Sequence, residues 1–553
     1  MTDQATRTRD PETPGFPTAA TPVAALPDLP GPQPTTVQRL RSAMPSDRLI
    51  GWVTTLVITA IAFVIRLINI GRPGYIVFDE TYYAKDAWSL IHFGYERNWA
   101  DNANTILRNG GIPVPQISAE FIVHPPVGKL LIGIGELIFG FDPVGWRVAP
   151  LVFGTLLVFM TIRLVRRVSR STLIGGLAGV LLTVDGLAFV MSRIALLDIF
   201  LAFFVVAAVA CLAADRDWFR NRLADHIERS GTKDLAGSYG PLLLVRPWQL
   251  LAGLMFGLAL GSKWDALYVM AAFCLLSLSW DFGARKLAGG GLRSGLSLIR
   301  DGVAKFISIV VVSLIVYALT WSSWFATAGG YDRQWDADGP KTGIARIFGR
   351  AFAAWVHYQQ DIYAFHTGSY IDHQTHVYNA NPGGWLVIAR TIGIDAVNNI
   401  QPGTGGCPAG GEKCLSVVSG MGTPVLWWGA IVALVIALLL WVGGRDWRFG
   451  IPVVGVLSAW LPWFQYTARP LFYFYAIAII PFSVMAVALC LGLLIGRFPR
   501  NPAARRSRMI GGIVAGAFVA LVVLNFAYIY PILTDKVLPY SQWLARMWFK
   551  GWI

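Results

Sequence analysis

Long stretches of this chain carry almost no charge: 148–162, 198–214, 303–321, 425–442 and 509–530. An apolar run of about 18 or more residues spans a bilayer as a helix, because a helix satisfies its backbone polar groups internally. No other feature limits the fold as strongly. Eleven spans are predicted, at 49–70, 146–165, 172–190, 194–214, 248–264, 265–281, 303–321, 424–442, 449–467, 470–495 and 509–530. The fifth and sixth nearly touch around Lys263 and Trp264. Composition agrees: of 553 residues 55% are hydrophobic and 14% charged, against about 25% charged in a typical soluble domain. The predicted class is an all-α polytopic membrane protein.

Arginine-rich connections stay on the cytoplasmic side of a membrane. RLVRRVSR (163–170), RDWR (445–448), RFPRNPAARRSR (497–508), 215–247 and 282–302 all fall on one side if the N-terminus is cytoplasmic. The C-terminus and two long loops, 71–145 and 322–423, are then extracytoplasmic. The net charge of +14 is gathered beside spans, which fits anionic lipid headgroups better than nucleic acid, for which no motif is present. Residues 1–45 are rich in Pro, Thr and Ala and read as a disordered cytoplasmic tail, leaving 46–553 as the membrane domain. The first apolar run begins near 49 and is too long for a signal-peptide core, so it reads as an uncleaved anchor.

The outer loops are too long to be simple connectors. VGKLLIGIGELIFG (127–140) predicts an amphipathic helix on the outer face, and a further helix is expected near 343–365. SQWLARMWFKGWI (541–553) predicts an interfacial helix. Cys407 and Cys414 share the second loop, as a disulfide or as two free thiols; Cys211, Cys274 and Cys490 lie in spans and read as packing residues.

Chemistry concentrates on the outer side. FDETYYAKD (78–86) follows the first span and sets Asp79 and Glu80 at the membrane boundary. Carboxylates near hydrocarbon mark functional sites, and such an acid suits a general base toward a hydroxyl; the bland reading is a hydrated loop pair. On the same side lie His124 and Lys129 of HPPVGK (124–129), Arg193 and Asp198 of SRIALLDIF (192–200), Lys263 of GSKWDALY (261–268) and Arg469 of ARPLFYFY (468–475). Taken singly, each basic residue reads equally well as an interfacial anchor. Together they bring positive charge to one face, which suits the phosphate of a lipid-linked donor. Tyr473 and Tyr475 are donors toward phosphate or sugar, or members of an aromatic belt. His357, His366, His373 and His376 form a histidine-rich stretch whose spacing fits no strong zinc signature; His357 is retained as a substrate-site candidate and no metal site is expected.

FDETYYAKD, HPPVGK, SRIALLD, GSKWDALY and ARPLFYFYA, in this order among eleven predicted spans, resemble the bacterial, and specifically actinobacterial, protein O-mannosyltransferases. The resemblance runs from about residue 49 to the C-terminus. It implies a C-type glycosyltransferase fold and a polyprenyl-phosphate mannose donor used outside the cytoplasm. Mannose would pass to Ser or Thr hydroxyls of exported proteins with inversion at the anomeric carbon. It implies no obligatory metal. By resemblance Asp79 is the catalytic acid of the pair and Glu80 its neighbour, Arg193 touches the donor phosphate, and Arg469 lies near the donor site. Membrane lipids, acceptor proteins and the secretion machinery are the expected partners, and the bacterial plasma membrane the expected location. Eukaryotic members carry a β-trefoil module in the second large loop, which is too short here to hold one. Two other readings are a same-fold transferase acting on a lipid or polysaccharide, and a secondary transporter. Charges gathered at one outer face and long outer loops count against the transporter.

Overall fold

The computed structural model describes residues 34–41, 43–496 and 502–553. Among these, seven helices are long and apolar enough to cross a membrane: Arg48–Leu67, Pro143–Ser169, Asp198–Ser230, Ala266–Leu287, Arg293–Thr320, Pro424–Val442 and Arg505–Leu533. The other four predicted spans fall on shorter helices, Thr172–Thr183, Pro247–Leu260, Trp447–Trp460 and Ile480–Ile495. Three of these are interrupted. The third span breaks at Asp185, whose carboxylate accepts from the Ala188 backbone N–H (2.8 Å) and from Trp427 Nε1 (2.8 Å). Within the predicted ninth span Pro462 opens the 3-10 segment Leu461–Tyr466, and within the tenth the 3-10 segment Tyr473–Ala478 gives way to helix Ile480–Ile495, which carries Pro481 in its first turn. The protein is a multi-pass membrane protein.

The basic connections meet at one end of the bundle. Arg166 pairs with Asp47 (2.7 Å), Arg167 and Arg170 pair with Asp217 (2.9 and 2.6 Å), and Arg216 lies over the Trp447 ring (3.4 Å). Most of the expected disordered tail lies outside the described residues. Its last part is ordered: Thr36–Leu40 is a helix closed by a Thr35/Gln38 capping box. Leu40 is buried against the 33-residue helix Asp198–Ser230, and Arg41 pairs with Asp225 and Glu228 on it.

At the opposite end the two long loops fold over the spans. In the first, helix Glu80–Phe93 ends at Gly94, whose φ of +81° a side chain would resist. The predicted amphipathic helix appears as Val127–Phe139. It lies close against Glu80–Phe93 because Gly133 has no side chain: a Cβ there would stand 2.3 Å from Ile91. Its far side exposes Ile134, Leu137, Ile138 and Phe139. Two small antiparallel sheets modify the all-α expectation. One pairs Arg97–Trp99 with Pro115–Ala119. The other has strand order Ile392–Ile400, Cys414–Gly420, Leu538–Pro539. A Cys407–Cys414 disulfide closes the turn of that second sheet. The helix expected near 343–365 is two, Gly343–Phe348 and Arg350–Thr367, divided at Gly349 with φ +89°. The predicted interfacial helix at 541–553 does not form. Pairing of Leu538–Pro539 in the sheet turns the chain back, leaving a one-turn helix Tyr540–Leu544 and a buried Trp552 whose indole donates to the Ile388 carbonyl (2.5 Å).

Candidate active site

The acidic pair after the first span is split by the backbone. Glu80 opens the helix and turns inward, where it is fully buried. Its carboxylate receives a fork from Arg147 (Nε 2.7 Å, Nη2 2.8 Å) and the backbone N–H groups of Val77 (3.1 Å) and Ala195 (3.1 Å). Arg147 also donates to the carbonyls of Ile70 (3.3 Å), Pro73 (2.8 Å) and Tyr75 (3.0 Å). One buried ion pair therefore clamps residues 70–80 and ties them to the turn before Asp198. Arg147 sits at the start of an apolar run. The rule that intramembrane charge marks function would have singled it out.

Asp79 occupies the N-cap of the same helix but makes no side-chain cap hydrogen bond. It is half-buried. Burial pushes its carboxyl up to about 6; the Lys263 ammonium draws it back and the Asp198 carboxylate adds to the rise. Its neighbours on either side reach the same region. The Phe78 ring meets Phe472 (6.0 Å) and Phe474 (5.9 Å), and the Tyr83 ring lies 6.2 Å from His124.

Lys263, whose charge acts on Asp79, lines a cavity of about 340 Å³; Asp79 itself is not among the lining residues. The cavity walls are largely apolar and aromatic, including Leu260, Leu267, Leu314, Pro462 and Trp463, and the charged and imidazole groups are Lys263, Asp265, Arg469, His124 and His366, with Tyr475 among the lining tyrosines. Asp198 holds Lys263 Nζ at 2.9 Å, and that ammonium stands 4.5 Å from the centre of the Tyr475 ring. Arg469 Nη1 donates to His366 Nδ1 (3.1 Å), while His366 Nε2 faces the Val123 carbonyl (2.8 Å). Those partners place the imidazole proton on Nε2. Burial pushes His366 down to about 4, so it is neutral at pH 7, and burial with the cations around it also holds His124 well below its ordinary value. Arg469 Nε is buried without an acceptor.

Of the residues singled out in the sequence, Lys263, Arg469, Tyr475 and His124 converge on the cavity, with Asp198 holding Lys263. The others lie elsewhere. Arg193 donates to the carbonyls of Arg66 (2.7 Å), Ile68 (2.6 Å) and Asn69 (2.9 Å), closing the C-terminus of the first span beneath the acidic loop. Tyr473 is buried against Trp427 (5.5 Å) and does not line the cavity. Lys129 is buried in a separate acidic cluster, 2.5 Å from Glu96 and 3.8 Å from Asp86. His357 stacks on Trp335 (4.2 Å), with Nε2 3.7 Å from Asp332 and 3.6 Å from Asp361. His366 takes the cavity position instead. Nine residues along a helix is half a turn beyond two full turns, so the two histidines of Arg350–Thr367 face opposite ways. Trp264, Asp265 and Tyr268 also line the cavity. They sit within the GSKWDALY motif, which the sequence reading used for Lys263 alone.

Comparison with known proteins agrees with this architecture. Residues 143–224 match the family described as dolichyl-phosphate-mannose-protein mannosyltransferase, and 351–552 match the C-terminal four-transmembrane region of protein O-mannosyltransferase. The fold is shared with the yeast Pmt1–Pmt2 protein O-mannosyltransferase complex (S. cerevisiae), at a TM-score of 0.67 and 14% identity over 94% of both chains. Fold and family matches together define a membrane glycosyltransferase. Polyprenol-phosphate-mannose–protein mannosyltransferases of Mycolicibacterium smegmatis and Mycobacterium tuberculosis are each 36% identical, over 92% of this chain and 94% and 93% of theirs. That of Corynebacterium glutamicum is 32% identical over 90% of this chain and 93% of its own. The chain belongs to the polyprenol-phosphate-mannose–protein mannosyltransferase family.

Proposed function

We propose that the protein transfers mannose from polyprenyl-phosphate mannose to Ser and Thr hydroxyls of exported proteins, on the extracytoplasmic face of the bacterial plasma membrane. One observation carries the reading. An apolar cavity is met at its polar end by two cations, Lys263 and Arg469, the second with a buried N–H lacking an acceptor. Within reach of the Lys263 charge stands a carboxylate that caps its helix without a side-chain bond. A lipid-linked sugar phosphate is complementary to that arrangement. The isoprenoid lies along the leucines and Trp463, and the phosphate is held by Lys263 and Arg469.

The acceptor hydroxyl attacks the anomeric carbon from the side opposite the phosphate, and Asp79 takes its proton. A bond forms from acceptor oxygen to carbon as the bond from carbon to phosphate oxygen breaks. The leaving polyprenyl phosphate takes the electron pair, its negative charge stabilised by Lys263 and Arg469. One displacement inverts the centre, so a β-linked donor yields an α-mannoside. Neutral His366 keeps an acceptor toward Arg469 and so orients that guanidinium. Glu80, Arg147 and Arg193 act through Asp79 by fixing the loop that carries it. The positive-inside rule supports a cytoplasmic N-terminus and an outer active site, since the arginine-rich connections gather at the other end. Acceptor proteins would meet the site as they emerge from the secretion machinery.

Incubating the purified protein with labelled polyprenyl-phosphate mannose, a Thr/Pro-rich peptide and a lipid acceptor in parallel tests the reading. Label in the peptide is expected. Label only in the lipid would overturn the acceptor assignment.

A further inference from the structure

The helix Ile480–Ile495 follows directly on the 3-10 turn that carries Tyr475. Its 16 residues span about 24 Å at 1.5 Å per residue. Its other end, together with the ends of the neighbouring helices, leaves a second cavity of about 620 Å³, within the size range of small-molecule sites. The walls mix charged and apolar groups. Arg170, Arg448, Arg508 and Asp47 line it together with Leu173, Phe449, Leu489 and Leu493, at the first turn of helix Thr172–Thr183.

The charges around it do not balance. Arg166 pairs with Asp47, Arg448 with Asp446, and Asp217 alone serves Arg170 (2.6 Å), Arg167 (2.9 Å) and Arg216 (3.9 Å). Among these described residues, five guanidiniums therefore share three carboxylates. The apolar lining is not closed either: Leu173 and Leu493 are 53% and 49% exposed. Excess positive charge beside exposed leucines, at the arginine-rich end of a membrane bundle, matches a phosphate diester carried on acyl chains.

The geometry points to a binding site for an anionic glycerophospholipid, with its phosphate at Arg170 and Arg448 and its chains along Leu173 and Leu493. Arg170 gives Nη2 to Asp217 and Nη1 to the neutral Met44 thioether, so among the described residues its charge is met only by a carboxylate it shares with Arg167 and Arg216. The site lies at the far end of the bundle from the chemistry and takes no part in sugar transfer.

Native mass spectrometry of the intact protein tests the assignment, with dioleoylphosphatidylglycerol titrated against dioleoylphosphatidylcholine. The parent protein should retain phosphatidylglycerol preferentially. An arginine near an anionic headgroup contributes roughly fivefold to its binding. Arg170→Gln with Arg448→Gln should therefore weaken phosphatidylglycerol retention by roughly 25-fold. Phosphatidylcholine retention should be unchanged, and the double lysine variant should keep most of the preference. Thermal unfolding in phosphatidylcholine nanodiscs checks that the glutamine pair still folds; if it does not, the lipid competition on the parent protein decides alone. Equal retention of the two lipids, or an unaltered preference in a folded glutamine pair, would overturn the site. Displacement of phosphatidylglycerol by millimolar inorganic phosphate would mean a water-soluble anion is the occupant, and would overturn the lipid assignment.

Discussion

Replacing Arg147 with methionine removes the clamp on the acidic loop while leaving Asp79 in place. Methionine fills much of the volume but supplies no donors. Glu80 then remains fully buried with its two shortest hydrogen bonds gone, and the carbonyls of Ile70, Pro73 and Tyr75 lose the donor they share. Removing one member of a buried pair costs about 3–5 kcal/mol, chiefly because the other charge stays buried and uncompensated. Glu80→Gln should cost less, since Arg147 keeps its three carbonyls. Adding Glu80→Gln to Arg147→Met removes the stranded charge, so the double variant should be no less stable than Arg147→Met alone. Thermal unfolding and peptide mannosylation, measured together on the three proteins, check this. The two readouts should fall together, because the loop that positions Asp79 loosens. Costs that simply add would refute the clamp. So would a Glu80→Gln protein of parental stability whose transfer falls 10²-fold, since that would give Glu80 a direct part in proton transfer.

Other outcomes follow from the same geometry. With Asp79 raised to about 6, kcat/KM should decline as pH falls through 6, approaching tenfold per unit, because the base is lost on protonation; a profile flat to pH 4.5 would contradict it. The same shift means the folded protein binds an extra proton between the ordinary carboxylate range and about 6. That contribution to stability therefore weakens as pH rises through this window. Arg469→Gln should raise the apparent donor KM by roughly 10- to 100-fold, the loss of a charge-assisted hydrogen bond to phosphate, and unchanged donor saturation would remove Arg469 from the site. Arg193→Ala should lower thermal stability and transfer while leaving donor KM near the parent value; a selective KM effect would return Arg193 to the donor phosphate. A cysteine introduced near 340 should react with an impermeant reagent on intact cells and one near 225 should not, and the reverse pattern would invert the proposed orientation.

The spans were legible because the bilayer imposes one rule, apolar residues for a helix length; seven of the eleven predicted segments meet it as described helices and four fall on shorter ones. The breaks within spans were less so. Asp185 lies inside an apolar window, and only its partners at 188 and 427, one of them 242 residues away, show why the helix stops there. The residues alone marked the acidic pair, and only the family resemblance favoured Asp79 over Glu80 as the base. Whether Asp79 or Glu80 turns inward depends on Arg147, 67 positions from Glu80. Arg193 carried the right charge at the right depth, yet its donors go to the carbonyl end of the first span, a need set by where that helix happens to stop. Lys129 was similarly drawn off by Glu96 and Asp86. His357 and His366 were equal on composition, and helical phase separates them. The small sheet joining 392–400, 414–420 and 538–539 was hidden because its strands come from two distant segments, and it removed the interfacial helix expected at the C-terminus.

The most direct test of the proposed mechanism is the turnover of Asp79→Asn. The substitution keeps the side chain's size and most of its hydrogen bonding but removes the base. Transfer to peptide should fall by roughly 10²–10⁴-fold, the range of general-base loss. Donor binding should stay near the parental value, because Lys263 and Arg469 hold the phosphate. Thermal stability should hold or rise, because asparagine ends the penalty of burying a charge. An Asp79→Asn protein that binds donor, unfolds at the parental temperature and still mannosylates peptide at close to the parental rate would contradict the assignment, and the base would have to be sought elsewhere.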